Sequence, residues 1–203
     1  MTVPASIQAD FWSREKILAT EQPNPCVYLF DDVRSGLSGE ICAHEQGSYS
    51  HCAMGLGRGT PGAPMIVNQI QTIRLSPLAD YLVPAYRVKC VELLAPPWNP
   101  NGFAAGVEIA QREADRVLAL PWYRRLYDGP GVLGQGLRLP RWFGLPGGWY
   151  CSEAVAHFIW PIMMDSDRSL GLHPNPEELN GWLKVQIDDM RARVAYRYDA
   201  DVA

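Results

Sequence analysis

The groups in this sequence best suited to group-transfer chemistry are a thiol, four imidazoles and a few side-chain amides, and the thiol of Cys151 has the most informative surroundings. The run Gly147-Gly148-Trp149-Tyr150-Cys151-Ser152-Glu153-Ala154-Val155 reads as a cysteine on the first turn of a helix. The two glycines allow a tight approach, Ala154, Val155, Phe158 and Ile159 form an apolar stripe, and Pro161 stops the helix. Unpaired N–H groups and the positive dipole end at a helix start favour thiolate over thiol, which is the form a nucleophile needs. The inert alternative is a cysteine that packs as a small hydrophobe.

A cysteine nucleophile also needs an imidazole to take its proton and a third group to fix the ring. His157 lies six residues on in the same helix, displaced by ~9 Å along the axis and on another face, so it cannot serve. His173 precedes a proline in a loop, and His44 sits in a polar stretch. His51, at the start of a strand, is the best placed of the four, although the residues alone favour a strand-end histidine bonded to a backbone carbonyl. Cys42, His44, His51 and Cys52 fall in one window of potential zinc ligands, yet neighbours on a strand point to opposite faces, so no metal or other cofactor is expected.

The elements that must position these groups follow from periodicity and punctuation. Ser13 to Thr20 has the pattern of a short amphipathic helix, and Cys26 to Phe30 that of a strand after the break at Pro23-Asn24-Pro25. Asp31 to Gly47 reads as loop. Ser48 to Gly57 and Pro64 to Ile73 read as an antiparallel hairpin; with its turn centred near Thr60-Pro61, His51 lies across from the region of Asn68 to Ile70, so an imidazole and an amide share one strand end. Leu75 to Val83 leads into a half-exposed strand, Ala85 to Leu93. Asn101 is a candidate N-cap for a helix from Gly102 to Leu120, with Phe103, Val107, Ala110, Ala114, Val117 and Leu118 on one side. Gly129 to Gly148 is too apolar for a solvated linker and too broken for a helix, the character of a loop covering a site. Pro176 to about Ile187 forms a last helix, and Asp188 to Arg197 either continues it or makes a final strand.

With 203 residues, 47% of them apolar, the chain is expected to form a single domain over Met1–Ala203. A net charge of −4 and a pI near 5.5 provide no broad basic field for nucleic acid or an anionic membrane. No apolar run reaches bilayer-spanning length, and Met1 to Thr20 lacks the apolar core of a secretory signal. Five cysteines without a close-spaced framework fit reduced thiols and synthesis in the cytoplasm.

Ser50-His51 opening a glycine-containing hydrophobic strand, and Tyr150-Cys151-Ser152-Glu153 opening a helix far downstream, resemble the two signatures of the permuted NlpC/P60 cysteine hydrolases, closest to their YiiX/YebB-like branch. Leu120-Pro121-Trp122-Tyr123 is similar to the family's segment after its long helix, and Pro174-x-Pro176-x-x-Leu179 to the proline-led segment after the cysteine helix. The likeness runs in order from Ser48 to Leu179. It implies an α+β, circularly permuted papain-like fold in which a small antiparallel sheet packs against helices including the cysteine helix.

The resemblance also implies roles. Cys151 would be the nucleophile and His51 the general base. The third polar residue falls on Asn68, with Gln69 and Gln71 as competitors according to which face the strand presents. Many members have Glu or His there, and a neutral amide fixes the ring without offsetting its charge. Tyr150 would help the Cys151 N–H hold an oxyanion or simply pack. Trp142, Trp149 and Arg141 are candidate substrate contacts, and Arg124, Arg125 and Arg138 are either cleft or solvated surface.

The substrate so implied is a peptide amide in peptidoglycan. Without a signal peptide, delivery to the periplasm would use another route, as for an antibacterial effector with an immunity protein or a lysis protein. Two other functions stand beside it: acyl hydrolysis or transfer on lipids, as in the lecithin:retinol acyltransferase branch, motivated by the apolar 129–148 loop, and an inert binding module, motivated by Asn68.

Overall fold

The computed structural model describes residues 11–33, 48–126, 150–163 and 174–202. Within them the chain is α+β. Six antiparallel strands, β1 (Cys26–Asp32), β2 (His51–Thr60), β3 (Ala63–Gln69), β4 (Ile73–Pro77), β5 (Tyr86–Leu93) and β6 (Ala192–Tyr198), form one sheet in the order β4-β3-β2-β1-β5-β6. Four α-helices accompany it: α1 (Arg14–Ala19), α2 (Pro100–Leu118), α3 (Cys151–Ile159) and α4 (Pro176–Asp188). None is long and apolar enough to cross a membrane.

The sheet is covered on both faces, which is why β1 reads as an unbroken apolar run rather than an alternation. Val27, Leu29, Cys52, Met54, Leu56, Val67 and Val91 form one face with α2, α3 and α4. Tyr28, Phe30, Ala53, Ile66 and Tyr196 form the other, covered by Ile17 of α1 and by Leu78, Tyr81 and Leu82 in and after a 3-10 turn. Neighbouring residues of β1 and β2 therefore belong to different cores.

Local sequence explains most boundaries. Ser13 caps α1 by accepting the Lys16 N–H at 3.3 Å. Asn175 and Glu178 form a reciprocal capping box at the start of α4, at 2.7 and 2.9 Å, with Pro176 at the first helical position. At α2 the cap is Asn99, not Asn101: its side chain accepts the Gly102 N–H at 3.0 Å and Pro100 starts the helix. The hairpin turns at Pro61-Gly62, between the paired Thr60 and Ala63, one residue beyond the centre read from sequence.

Two larger differences concern strands. The returning strand expected to reach Ile73 stops at Gln69, bends, and returns as β4, a strand absent from the sequence reading. The Asp188 to Arg197 ambiguity resolves as a strand. The helix stops at Asp188, Met190 takes a left-handed backbone with φ 58°, and Arg191 N–H returns to the Gln186 carbonyl at 2.8 Å before β6 begins.

One buried cation pins α4 to the sheet. Lys89 of β5 donates to Asn180 Oδ1 at 3.0 Å, and Asn180 donates to Glu177 Oε1 at 3.1 Å. Burial, helped by Arg197 and Lys184, pulls the Lys89 ammonium down to about 8, against an opposing pull from Glu177. The unfolded chain holds this proton up to the ordinary value of ~10.4. Between those values U binds more protons than N, so this lysine makes stability rise with pH.

Two measurements follow from this packing. Stability of wild type relative to Lys89→Met, from denaturant titrations at stepped pH, is expected to increase across the window from about 8 to ~10.4. Gly106→Ala should destabilise despite a helix-propensity gain of ~1 kcal/mol. A Cβ at Gly106 would lie 2.2 Å from the Pro161 carbonyl oxygen and 2.8 Å from Ile162 Cα, both backbone, so α2 must move off the end of α3. The expected net loss is ~1–3 kcal/mol, read as a lowered denaturation midpoint.

Candidate active site

His51 is the first residue of β2, and its side chain lies on the α1 side of the sheet. It stands directly opposite Phe30 of β1, with ring centroids 5.6 Å apart, and Tyr81 stacks from farther out at 6.5 Å. Asn68 pairs with Ala53, one diagonal step from His51. That step brings His51 Nε2 within 2.6 Å of Asn68 Oδ1. The Asn68 amide is itself held: its Nδ2 donates to the Tyr81 hydroxyl and, at 3.5 Å, to Ser76 Oγ. With both N–H bonds so directed, Oδ1 accepts, Nε2 carries the proton, and Nδ1 is left for another partner.

That partner comes from the opposite layer. α3 docks on the other face of β2 through Val155, Phe158 and Ile159, each 2% exposed or less, and full burial of side chains of this size contributes ~1.5–3 kcal/mol apiece. Tyr150 is the N-cap in extended backbone. The capping interaction that sets the chain's entry comes from Glu153, whose Oε2 accepts the Tyr150 N–H at 2.9 Å. Cys151 is then the first residue of the helix, 4% exposed, beside Cys52. Its thiol is hydrogen-bonded to the His51 imidazole.

The electrostatics of the pair follow from these contacts. A hydrogen bond from the Cys52 side chain is the largest influence on Cys151; burial opposes it, but the His51 charge and hydrogen bond and the Cys52 backbone N–H add to it, holding Cys151 well below the usual thiol range. For His51, burial pushes the imidazole down, but the Cys151 charge, its hydrogen bond and the bond to Asn68 outweigh it and raise the ring above its ordinary value. Opposite shifts of two partners favour the thiolate–imidazolium state. A thiolate on a helix start, an imidazolium able to give back a proton, and an amide fixing the ring are the groups that acyl transfer through a thioester requires.

The structure brings together Cys151, His51 and Asn68, with Tyr150 adjoining. Gln69 points to the other face and donates to the Arg125 carbonyl at 3.3 Å, and Gln71 is exposed. Arg125 is tied to the β4 strand, donating to the Ile73 carbonyl at 2.9 Å, and Arg124 is exposed. His157 bonds Glu113 Oε1 at 2.9 Å on the outer side of α3. Arg138, Arg141, Trp142, Trp149 and His173, the 129–148 loop, and Cys42 and His44 lie outside the described residues. Among the described residues no group of three or more His, Cys, Asp or Glu could hold a metal ion.

Three contributors were not read from sequence. Tyr81 and Ser76 orient Asn68, and both come from the segment whose strand was missed. Cys52 supports the Cys151 sulfur. Its strand parity, facing away from His51, was legible, but the helix that covers that face was not.

No family model matches the sequence, and no curated protein matches it. Among solved structures it is similar to the crystal structure of the metalloprotein YiiX from Escherichia coli O157:H7, at 17% identity and a TM-score of 0.48, over 70% of this chain and 68% of that one.

The pair is testable without a substrate. The alkylation rate of Cys151 against pH, followed by peptide mass spectrometry, should show thiolate well below the ordinary thiol pKa of ~8.5. Removing the imidazole with His51→Ala should move the titration upward towards that value. Tyr81→Phe, which deletes one of the two acceptors orienting Asn68, should move it in the same direction by less.

Proposed function

We propose that this chain is a cysteine acyl hydrolase on a circularly permuted papain-like, NlpC/P60-type core, with peptide amides of peptidoglycan as its substrate class. The observation that supports it best is the contact between Cys151 at the start of α3 and His51 at the start of β2, the latter bonded to Asn68 at 2.6 Å. The histidine strand precedes the cysteine helix in sequence, the order of the permuted arrangement implied by the resemblance.

In this reading the Cys151 thiolate attacks the carbonyl carbon, forming the C–S bond and placing charge on the oxygen. N–H groups of the first turn of α3, that of Cys151 foremost, are suited to receive that charge, since helix-start donors have no intrahelical acceptor. The Tyr150 N–H is already taken by Glu153, so any help from Tyr150 comes through its side chain. Collapse breaks the C–N bond as His51 Nδ1 protonates the leaving amine. Water, deprotonated by the same nitrogen, then cleaves the thioester and regenerates thiolate and imidazolium. Asn68 keeps Nε2 protonated and the ring aimed throughout.

The test is incubation of muropeptides with the full chain and quantitation of new amine termini. Wild type should release product, Cys151→Ala none, and His51→Ala should lose ~10²–10⁴-fold in rate. Asn68→Ala should lose less than His51→Ala, because Phe30 and Tyr81 still stack against the ring. Equal product from wild type and Cys151→Ala would sink the reading. Release of fatty acid from phospholipid vesicles with muropeptides untouched would replace it with the lipid hydrolase, and a titrating thiolate inactive on both would point to the binding module. An effector or lysis role, with its immunity or delivery partner, belongs to this proposal only if muropeptides are cut.

A further inference from the structure

The site contains a second thiol that acyl transfer does not consume. Cys52 is fully buried on the α3 side of β2, its S–H and its backbone N–H both directed at the Cys151 sulfur. Both residues sit in one apolar cluster, so the two sulfurs meet away from bulk water at the helix–sheet contact. We infer that Cys52 is a resolving thiol for Cys151: a hydroperoxide oxidises Cys151, and Cys52 then closes a Cys52–Cys151 disulfide that keeps the nucleophile in a recoverable form.

The chemistry balances in two steps. The Cys151 thiolate attacks the distal oxygen of the hydroperoxide; an S–O bond forms, the O–O bond breaks, and the departing alkoxide or hydroxide takes the proton of the His51 imidazolium. Cys151 becomes a sulfenic acid, oxidised by two electrons as the peroxide is reduced by two. Cys52 then attacks the Cys151 sulfur; the S–S bond forms, the S–O bond breaks, and the hydroxide leaves as water with the Cys52 proton. A low-molecular-weight dithiol then reduces the disulfide by exchange, restoring both thiols as it closes to its own disulfide. A disulfide needs Cβ atoms ~3.5–4.5 Å apart, a separation set by the backbones of β2 and the start of α3, while side-chain torsion brings only the sulfurs together.

The molecule carries its own control. Cys26 and Cys90 also touch each other, but on the opposite face beside Tyr28 and Tyr196, and burial pushes the Cys90 thiol well up. Two thiols in contact are therefore not enough; a thiolate must be present to attack the peroxide.

The inference rests on the thiolate–imidazole pair but on no substrate, so its readout is separate from product release. The full chain is treated with hydrogen peroxide, quenched with an alkylating agent in denaturant and digested without reductant. The expected product is a Cys52–Cys151 cross-linked peptide pair lacking two hydrogens, with Cys26 and Cys90 alkylated and Cys151 alkylation restored by dithiothreitol. Cys52→Ser should instead carry Cys151 on to sulfinic acid that dithiothreitol does not recover. An unreactive Cys151, a sulfinic acid in wild type, or a bridge from Cys151 to Cys42, Cys26 or Cys90 would overturn the inference. If Cys52→Ser does not fold, the wild-type cross-link decides.

Discussion

The docking of α3 against β2 fixes where the sulfur of Cys151 lies, and the other features of the site are arranged about that point. Val155, Phe158 and Ile159 hold the helix by dry packing, which is strong but not directional. Direction comes from the start of the helix. Glu153 accepts the Tyr150 N–H and sets the entry of the chain, and the Cys52 thiol and N–H then meet the sulfur as it arrives. Placing an anion in an apolar cluster is costly, and these donors together with the His51 charge offset the burial.

His51 is constrained by a different chain of contacts. Phe30 and Tyr81 stack about its ring, Asn68 binds its Nε2, and Asn68 is in turn bonded by Tyr81 and Ser76. A carboxylate in place of Asn68 would stabilise imidazolium directly. The amide instead specifies a tautomer and leaves charge compensation to the thiolate, which makes the two members of the pair dependent on each other for their ionised forms.

Much of this geometry was legible in the sequence because it depends on local rules. The apolar stripe behind Cys151 reports a helix, and its glycines mark where that helix starts. Hairpin arithmetic placed His51 near Asn68 even with the turn one residue off, since a diagonal neighbour is tolerant of small shifts. β4 was not legible: Ile70-Gln71-Thr72-Ile73 holds neither glycine nor proline to mark the bend between the two strands. Tyr81 and Ser76 were lost with it. Cys52 was read as a ligand candidate because strand parity says which way a side chain points, not which helix will cover it. Met190 takes a left-handed conformation usually left to glycine or asparagine, so the helix end before β6 had no signal in residue type.

Cys151 belongs to the core on one face of the sheet, whereas His51 stacks on Phe30 and Tyr81 of the core on the other. Neither layer alone contains a competent pair. Partial loosening of α3 withdraws the sulfur while the imidazole keeps its stack, and loosening of the 3-10 turn carrying Tyr81 frees the ring while the sulfur keeps its helix. The ionised pair thus behaves as a coincidence gauge for the two halves of the molecule. Its signal should disappear at the first local opening of either layer, ahead of the global loss of the sheet.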